Sequence, residues 1–499
     1  MATHSGDGES APGGGGESTP QARVAAPSLR ARASRGTAVS LLGQGASQAL
    51  RLAGNLLLAR LLFPEAFGLM AIVYLVIFAL DQISNIGIGA AVMRFERGEE
   101  PEFLDTAWTM QIVRGLALWA IALALTPAVA EFYRLPELRQ ILPVASFTAV
   151  LSGFTSTRLM VLNRRLELTR LVAIEFSGQC AALVVMIAIA WWQRSVWALV
   201  FGGLANQAVV LVLSHLAIPG PRNRVAWNAD DARQIYSIGV WVFASSGISF
   251  LLAQIDIALL GRLIPAALLG VYSMGLIIPN LLRDLAFRLS SSVLAPIVAE
   301  SNRQSAEMLR ERYAAARRLT LPIALLCALG AAIVGPAFFH FLYDDRYQDA
   351  GWICQLALLR FWFAYLQVSG CLTLLSIGHG REWAISNVVG LVGSTTGCLL
   401  GFSLAELPGL LIGMAIGTAA GAAVPIVRML QLGIASPLPE LRYTGLGILL
   451  GLVVLAVSAA PANVAFANPA LNTLLLGALA LSPYALFTAL RVLPEVRTR

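Results

Sequence analysis

Gln44, Gln48, Arg51 and Asn55 stand at i, i+4, i+7 and i+11 in a segment that is otherwise apolar. On an α-helix that spacing places all four on one face. Amides and a guanidinium supply hydrogen-bond donors around a fixed positive charge, chemistry that holds an anion. Five further apolar segments carry residues of the same kind. Tyr74, Asp81 and Asn85 share a face, and Gln111 lies a turn from Arg114. Ser245, Ser249 and Asp256 line one side of a third segment. Asn280, Arg283, Asp284, Arg288 and Ser291 form a broad stripe on a fourth, and Arg360 and Gln367 pair on a fifth.

An Arg or Asp at the centre of a bilayer costs about 3 kcal/mol, so each needs a cavity, a partner or a use. Two readings follow. The groups line a water-filled, Arg-rich cavity entered by an anion. Alternatively they pair among themselves, Arg51 with Asp81 and Arg283 with Asp284 or Asp256, and fix helix packing. For any one residue the two balance. For the whole set the cavity is favoured, because the Arg residues outnumber their acidic partners. The substrate-binding candidates are therefore Gln44, Gln48, Arg51, Asn55, Arg114, Arg283, Arg288 and Arg360. Asp81, Asn85, Asp256 and Asp284 are the candidates for ion coupling.

Other chemistry finds little support. His4, His215, His340 and His379 are scattered, with no metal-ligand spacing. Asp344, Asp345 and Asp349 read as a solvated loop, and Glu175 with Gln179 as a cap or interhelical bond rather than a proton relay. The cysteines Cys180, Cys327, Cys354, Cys371 and Cys398 fall in apolar segments and read as small hydrophobes. There is no phosphate-cradling Gly loop, nucleophile elbow or catalytic carboxylate pair, so neither enzyme, cofactor nor metal is expected.

The elements that position these groups must be membrane helices. Of the 499 residues 57% are hydrophobic and 13% charged, against about 25% charged in soluble domains. Apolar stretches repeatedly reach the length of a spanning helix. About fourteen spans are predicted, at 37–62, 64–91, 106–132, 137–160, 171–192, 196–218, 237–262, 265–297, 319–343, 349–377, 383–404, 408–431, 443–461 and 468–490. Spans 64–91 and 265–297 exceed the bilayer thickness and should tilt, bend or project inward. Residues 1–36, rich in Gly, Ser, Ala and Pro, read as a disordered tail.

All 35 basic residues are Arg. The net charge of +7 sits in short loops, which points to an inner-leaflet bias rather than to nucleic acid. Alternate connections and both termini carry 24 Arg against 6 on the other side, with Arg60, Arg134, Arg139, Arg194, Arg262 and Arg346 in the minority. That bias predicts both termini in the cytoplasm. The loop at 92–105 argues slightly against it, since Glu96, Glu99, Glu100, Glu102 and Asp105 outnumber its Arg. Residues 298–318 read as an amphipathic helix on the cytoplasmic surface, connecting two halves.

Those halves repeat. Arg60-Leu-Leu-Phe-Pro64-Glu-Ala-Phe-Gly68 joins spans one and two, and Arg262-Leu-Ile-Pro265-Ala-Ala-Leu-Leu-Gly270 joins spans seven and eight. The even number of spans between them predicts parallel repeats. The expected domains are an N-lobe at 37–218, a linker at 219–236, a C-lobe at 237–431, and two extra helices within 432–499. Pro64, Glu65, Pro265 and Ala266 would form an outer gate, touching when the cavity faces inward and separating when it faces outward.

The segment ARLLFPEAFGLMAIVYLVIFALDQISNIGIGAAVMR at 59–94 resembles the polysaccharide-transporter family of flippases, within the multidrug/oligosaccharidyl-lipid/polysaccharide exporter superfamily. Segments at 135–175, 195–204 and 256–275 resemble it too, so the resemblance covers nearly all of the chain after the tail. One departure is Asn85, where the family commonly has an acidic residue before a Gly-Leu-Gly-like turn; Asp81 shares its face. The resemblance implies an all-α integral membrane fold of two six-helix lobes, V-shaped and MATE/MviN-like, with alternating access. It further implies an undecaprenyl-diphosphate-linked oligosaccharide as substrate in a bacterial inner membrane. Membrane lipids and other polysaccharide-assembly proteins are the implied partners. Spans 13 and 14 would line a groove for the lipid tail. A drug or metabolite antiporter is the first alternative, but it needs few cavity Arg and often stops at twelve spans. A membrane polymerase or ligase is the second, but it should carry a long external loop with catalytic groups.

Overall fold

The computed structural model describes the backbone at 29–459 except 85, 86, 166 and 437, and beyond that only residues 474, 477, 481, 482 and 484. Side chains are described from residue 42, apart from 83, 238–249, 252, 253, 293 and 457–459. Asn85, Ser245, Ser249, nearly all of the fourteenth predicted span and most of the predicted tail therefore lie outside the described side chains.

Every regular element among the described residues is helical. The first half of the chain contains α1 (Leu29–Leu61), α2 (Pro64–Ile83), α3 (Ile88–Arg94), α4 (Pro101–Tyr133), α5 (Leu138–Ala145), α6 (Phe147–Phe154), α7 (Arg158–Arg164), α8 (Leu168–Gln193) and α9 (Trp197–Leu216). The second half contains α10 (Ala229–Leu263), α11 (Ala266–Gly275), α12 (Ile277–Leu289), α13 (Ala295–Gln304), α14 (Ala306–Leu342), α15 (Ala350–Ser376), α16 (Arg381–Gln431) and α17 (Leu438–Ala459). Among the described residues, eight helices are long and apolar enough to cross a membrane, or up to ten if two bent pairs each count as a span. The protein is a multi-pass membrane protein. Helix α1 is not among the eight, because its polar face keeps its hydropathy low.

One of the eight is double. At Ala405 (φ −149°, ψ 33°) and Glu406 (φ 48°, ψ −131°) the path of α16 leaves helical geometry. The chain then returns alongside itself: Gly393, Gly397 and Gly401 meet Gly417, Gly413 and Gly409 backbone to backbone. Small residues four apart let two membrane helices approach this closely.

Both over-long predicted spans are broken. Span 64–91 stops at Ser84 and resumes after Gly87, whose φ of 68° is left-handed. Span 265–297 bends by 41° between α11 and α12, and relaxes into a π-helical turn at Ser290–Leu294. The break in span 137–160 went unpredicted: it is three short helices, with a 65° bend before α7. There a side chain takes up a freed backbone N–H, as one must away from water, and a second side-chain bond braces the turn. Ser156 donates its N–H to Ser214 Oγ at 3.0 Å, and Asn223 reaches Thr157 Oγ1 at 2.7 Å.

Three of the connections that the Arg bias puts on one side, at 92–105, 158–170 and 219–236, meet one another. Arg97 pairs with Asp231 at 2.9 Å, and Arg165 pairs with Glu99 at 2.6 Å, which holds the Glu99 carboxyl below its ordinary pKa. Arg164 donates to the Val92 carbonyl at 2.6 Å. The acid-rich loop that weakened the charge argument is thus countered by Arg from neighbouring loops. The predicted linker is half helix, since the Asn228 side chain caps α10 by accepting from Asp230 N at 2.9 Å. The predicted surface helix at 298–318 is likewise corrected. It is the end of α13 and the first turns of α14, packed on Leu374 and Met429 in a small separate core. Arg317, expected in a loop, is buried on α14 against Glu440 of α17 at 3.1 Å.

The main core sits around the contact of α2 with α11. There Gly68 and Gly270 pack reciprocally. A Cβ on Gly68 would run into the Ala266 carbonyl oxygen, and one on Gly270 into that of Pro64.

Candidate functional site

A cavity of about 800 Å³ opens between α1, α2, α8, α9, α10 and α11. Phe67, Met70 and Met274, all buried, bound it toward the reciprocal glycine contact. Arg51 and Asn55 of α1, Tyr74 and Asp81 of α2, Gln179 of α8, Gln254 of α10 and Ser273 of α11 supply polar groups on an otherwise apolar wall. Arg51 lies ten residues before the end of α1. At 1.5 Å per residue that is about 15 Å, half of a hydrocarbon core of about 30 Å.

A second chamber, of about 320 Å³, lies beside the first within the second half of the chain. Gln254 and Ile257 line both. Asp256, Arg283 and Arg360 face it from α10, α12 and α15.

The internal pairings differ from those the sequence suggested. Asp81 meets Arg114 rather than Arg51: Nη2 is 2.6 Å from the carboxylate and 2.8 Å from the Asp81 carbonyl, while Nε reaches Ser84 Oγ at 3.0 Å. Arg114 therefore serves Asp81 and does not line the large cavity. Buried Asp256 accepts from the Tyr272 hydroxyl at 2.7 Å and lies 3.3 Å from Arg360. Gln367 bonds Ser386 at 2.9 Å, so it is not the partner of Arg360. Arg283 reaches Asp284 only at 3.9 Å. Arg288 on α12 donates to Gln44 Oε1 on α1, joining the two halves of the chain. Arg51 makes no hydrogen bond or ion pair with any described residue. Gln48 lies on the same face of α1 but outside both chambers.

Arg114 and Arg360 are thus matched by carboxylates, whereas Arg51, Arg283 and Arg288 have no carboxylate closer than 3.9 Å among the described residues. The arrangement can hold anions from both halves of the chain.

The four gate candidates flank the reciprocal glycine contact, where the Ala266 carbonyl lies against Gly68 and the Pro64 carbonyl against Gly270. A third hairpin joins them. The Tyr347 ring stands 6.2 Å from that of Phe67, and the Arg346 guanidinium lies 5.0 Å over Phe63.

Sequence reasoning missed Tyr272, Trp383 and Asn387. The last two are spaced i and i+4 at the start of α16, a visible signal, but no charge marks them. It also missed the buried Arg317–Glu440 pair, with Tyr313 and Tyr365 flanking the guanidinium at 5.8 Å. Of the five free cysteines, Cys354, Cys371 and Cys398 are buried as expected, while Cys327 is exposed.

Comparison with known proteins adds a context. The teichuronic acid biosynthesis protein TuaB of Bacillus subtilis is 21% identical over 300 residues, 60% of each chain. The lipopolysaccharide biosynthesis protein WzxC of Escherichia coli is 22% identical over 316 residues, 61% of this chain and 62% of that one. The chain thus spans about three fifths of the length of the curated relatives it matches. Among solved structures, lipid II flippase MurJ in its inward closed conformation superposes with a TM-score of 0.68. That match is 11% identical and covers 92% of this chain and 99% of MurJ. An inward-facing multidrug resistance MATE transporter gives 0.58, with 15% identity over 80% of this chain and 95% of that one. The fold is therefore an all-α multi-pass membrane fold of the kind seen in MurJ and MATE. A family model described as "Polysaccharide biosynthesis protein" matches residues 57–351, more than half of the length, and the chain belongs to that family.

Proposed function

We propose that this protein flips an anionic lipid-linked oligosaccharide, an undecaprenyl-diphosphate-linked repeat unit, to the periplasmic leaflet of a bacterial inner membrane by alternating access. The observation that carries this reading is the set of guanidiniums left without a close carboxylate, Arg51 on one half and Arg283 and Arg288 on the other. A cavity for cations would be lined the opposite way. Arg presents a fork of donors that suits phosphate oxygens, and a diphosphate would supply the charge these groups lack. The names of TuaB, WzxC and MurJ fit the same class of cargo.

In this reading the protein is a transporter rather than an enzyme. It has fourteen spans and both termini in the cytoplasm. Residues 37–218 and 237–431 form two six-span lobes joined by a cytoplasmic linker at 219–236. The remaining residues, 432–499, add two spans that guide the lipid tail. Pro64, Glu65, Pro265 and Ala266 close the periplasmic side, so the cavity is charged from the cytoplasm.

Deleting the gene tests this. Surface polymer should be lost while lipid-linked oligosaccharide accumulates on the cytoplasmic leaflet, and the intact gene should reverse both. Unchanged surface polymer with no accumulated intermediate would contradict the proposal.

A further inference from the structure

The smaller chamber has a composition of its own. Helix α12 contributes Asn280 and Arg283, and the start of α16 contributes Trp383 and Asn387. The side chains of Asn280, Asn387 and Trp383 make no hydrogen bond with any described residue. Arg283 has only its stretched contact to Asp284, at 3.9 Å. Asn280 and Arg283 are exposed and Trp383 and Asn387 half-buried, so their donors and acceptors face open space rather than internal partners. Here four such groups converge on one space and stay open.

Several neighbouring polar groups are paired, although Asp256 Oδ1 is buried without a hydrogen bond among the described residues. Arg360 and Tyr272 hold Asp256, and Gln367 holds Ser386. With the Arg360–Asp256 pair close to neutral, Arg283 gives the chamber a net positive charge. A volume of about 320 Å³ lies at the small end of ligand pockets, which run from about 300 to 1,000 Å³.

We infer that this chamber is a saccharide subsite that receives one acidic sugar ring of the transported head group. The indole of Trp383 offers an apolar face to the ring. The amides of Asn280 and Asn387 can each both donate to and accept from ring hydroxyls. Arg283 takes the sugar carboxylate through its paired N–H groups. Because Gln254 and Ile257 line both spaces, a head group whose diphosphate stays near Arg51 would have the side chamber next to it to receive a sugar. The inference rests on the flippase reading for the source of that sugar, but its test does not require transport.

Full-length protein in detergent micelles is titrated with methyl β-D-glucuronide and, separately, methyl β-D-glucoside, with binding read by saturation-transfer NMR. The glucuronide should bind more tightly than the glucoside. Arg283→Gln should weaken glucuronide binding about tenfold, as expected for loss of one charge-assisted hydrogen bond, and leave the weaker glucoside binding little changed. Trp383→Leu should weaken both sugars. If Trp383→Leu no longer folds, as judged by its thermal transition, Asn387→Ala takes its place with the same expectation. Equal affinity for the two sugars, absence of binding, or glucuronide binding unaffected by these variants would each overturn the subsite. A protein that binds neither sugar yet restores surface polymer to a deletion strain would remove the subsite and leave the flippase standing. One that binds the glucuronide as described but fails to restore polymer would do the reverse.

Discussion

Arg51 and Arg114 differ in what stands beside them, and that difference decides what each can do. Arg114 is bound to Asp81 by two contacts, at 2.6 and 2.8 Å, and to Ser84 by a third at 3.0 Å. Its charge is spent on packing. Arg51 has no such partner and faces the large cavity. Arg51→Ala and Arg283→Ala should therefore abolish surface polysaccharide while the protein still accumulates in the membrane. Lysine at either site should keep partial activity, because the charge survives and the two-pronged geometry does not. Immunoblots of membranes beside polymer staining check both outcomes; loss of the alanine variants from the membrane would assign these residues to packing. Arg317 should behave in the opposite way. With Glu440 only 5% exposed, Arg317→Ala strands a buried carboxylate and should cost about 3–5 kcal/mol. A lowered thermal transition in detergent, partly restored by adding Glu440→Gln, checks this. The polar stripe of α1 was legible in the sequence because helical spacing is local. The choice of partner was not: Asp81 and Arg114 meet across two helices, and nothing in either segment encodes which Arg arrives there.

At the scale of helices, the repeat seen in two short strings has a physical use. Gly68 and Gly270 lie at matched positions, and each backbone occupies the space where the other would carry a Cβ. Asp81 and Arg283 each fall thirteen residues after the matched glycine, so the repeats place opposite charges at equivalent positions. Gly68→Ala or Gly270→Ala should hold the two hairpins apart without disturbing the rest of α2 or α11. A disulfide between Cys residues placed at Glu65 and Ala266 should then form much more slowly than in the parent, as followed by gel shift after mild oxidation. An unchanged rate would show that the glycines only fill space. Helix ends with local signals were readable, such as Pro64 at the start of α2 and the turn inside α16, where the predicted 404/408 boundary brackets Ala405 and Glu406. The bend between α6 and α7 was not. It depends on residues roughly sixty positions away, Ser214 to accept the opened Ser156 N–H and Asn223 to bind the Ser156 hydroxyl.

Across the whole molecule, three loops that the Arg count assigns to one side meet one another, and the two Pro–Gly hairpins meet each other. Reporter fusions after Asn223 and Ser305 should therefore behave as cytoplasmic, and fusions after Glu137 and Arg346 as periplasmic. A periplasmic signal at Ser305 would reverse the orientation. The claim on which the account turns is that closing the hairpin end and opening it are alternate steps of transport. It is tested most directly in a protein lacking its five native cysteines and carrying Glu65→Cys with Ala266→Cys. Oxidation should cross-link the hairpins, stop delivery of sugar to the periplasm and leave lipid-linked oligosaccharide on the cytoplasmic leaflet, and reductant should restore transport. Full transport by a demonstrably cross-linked protein would contradict the account.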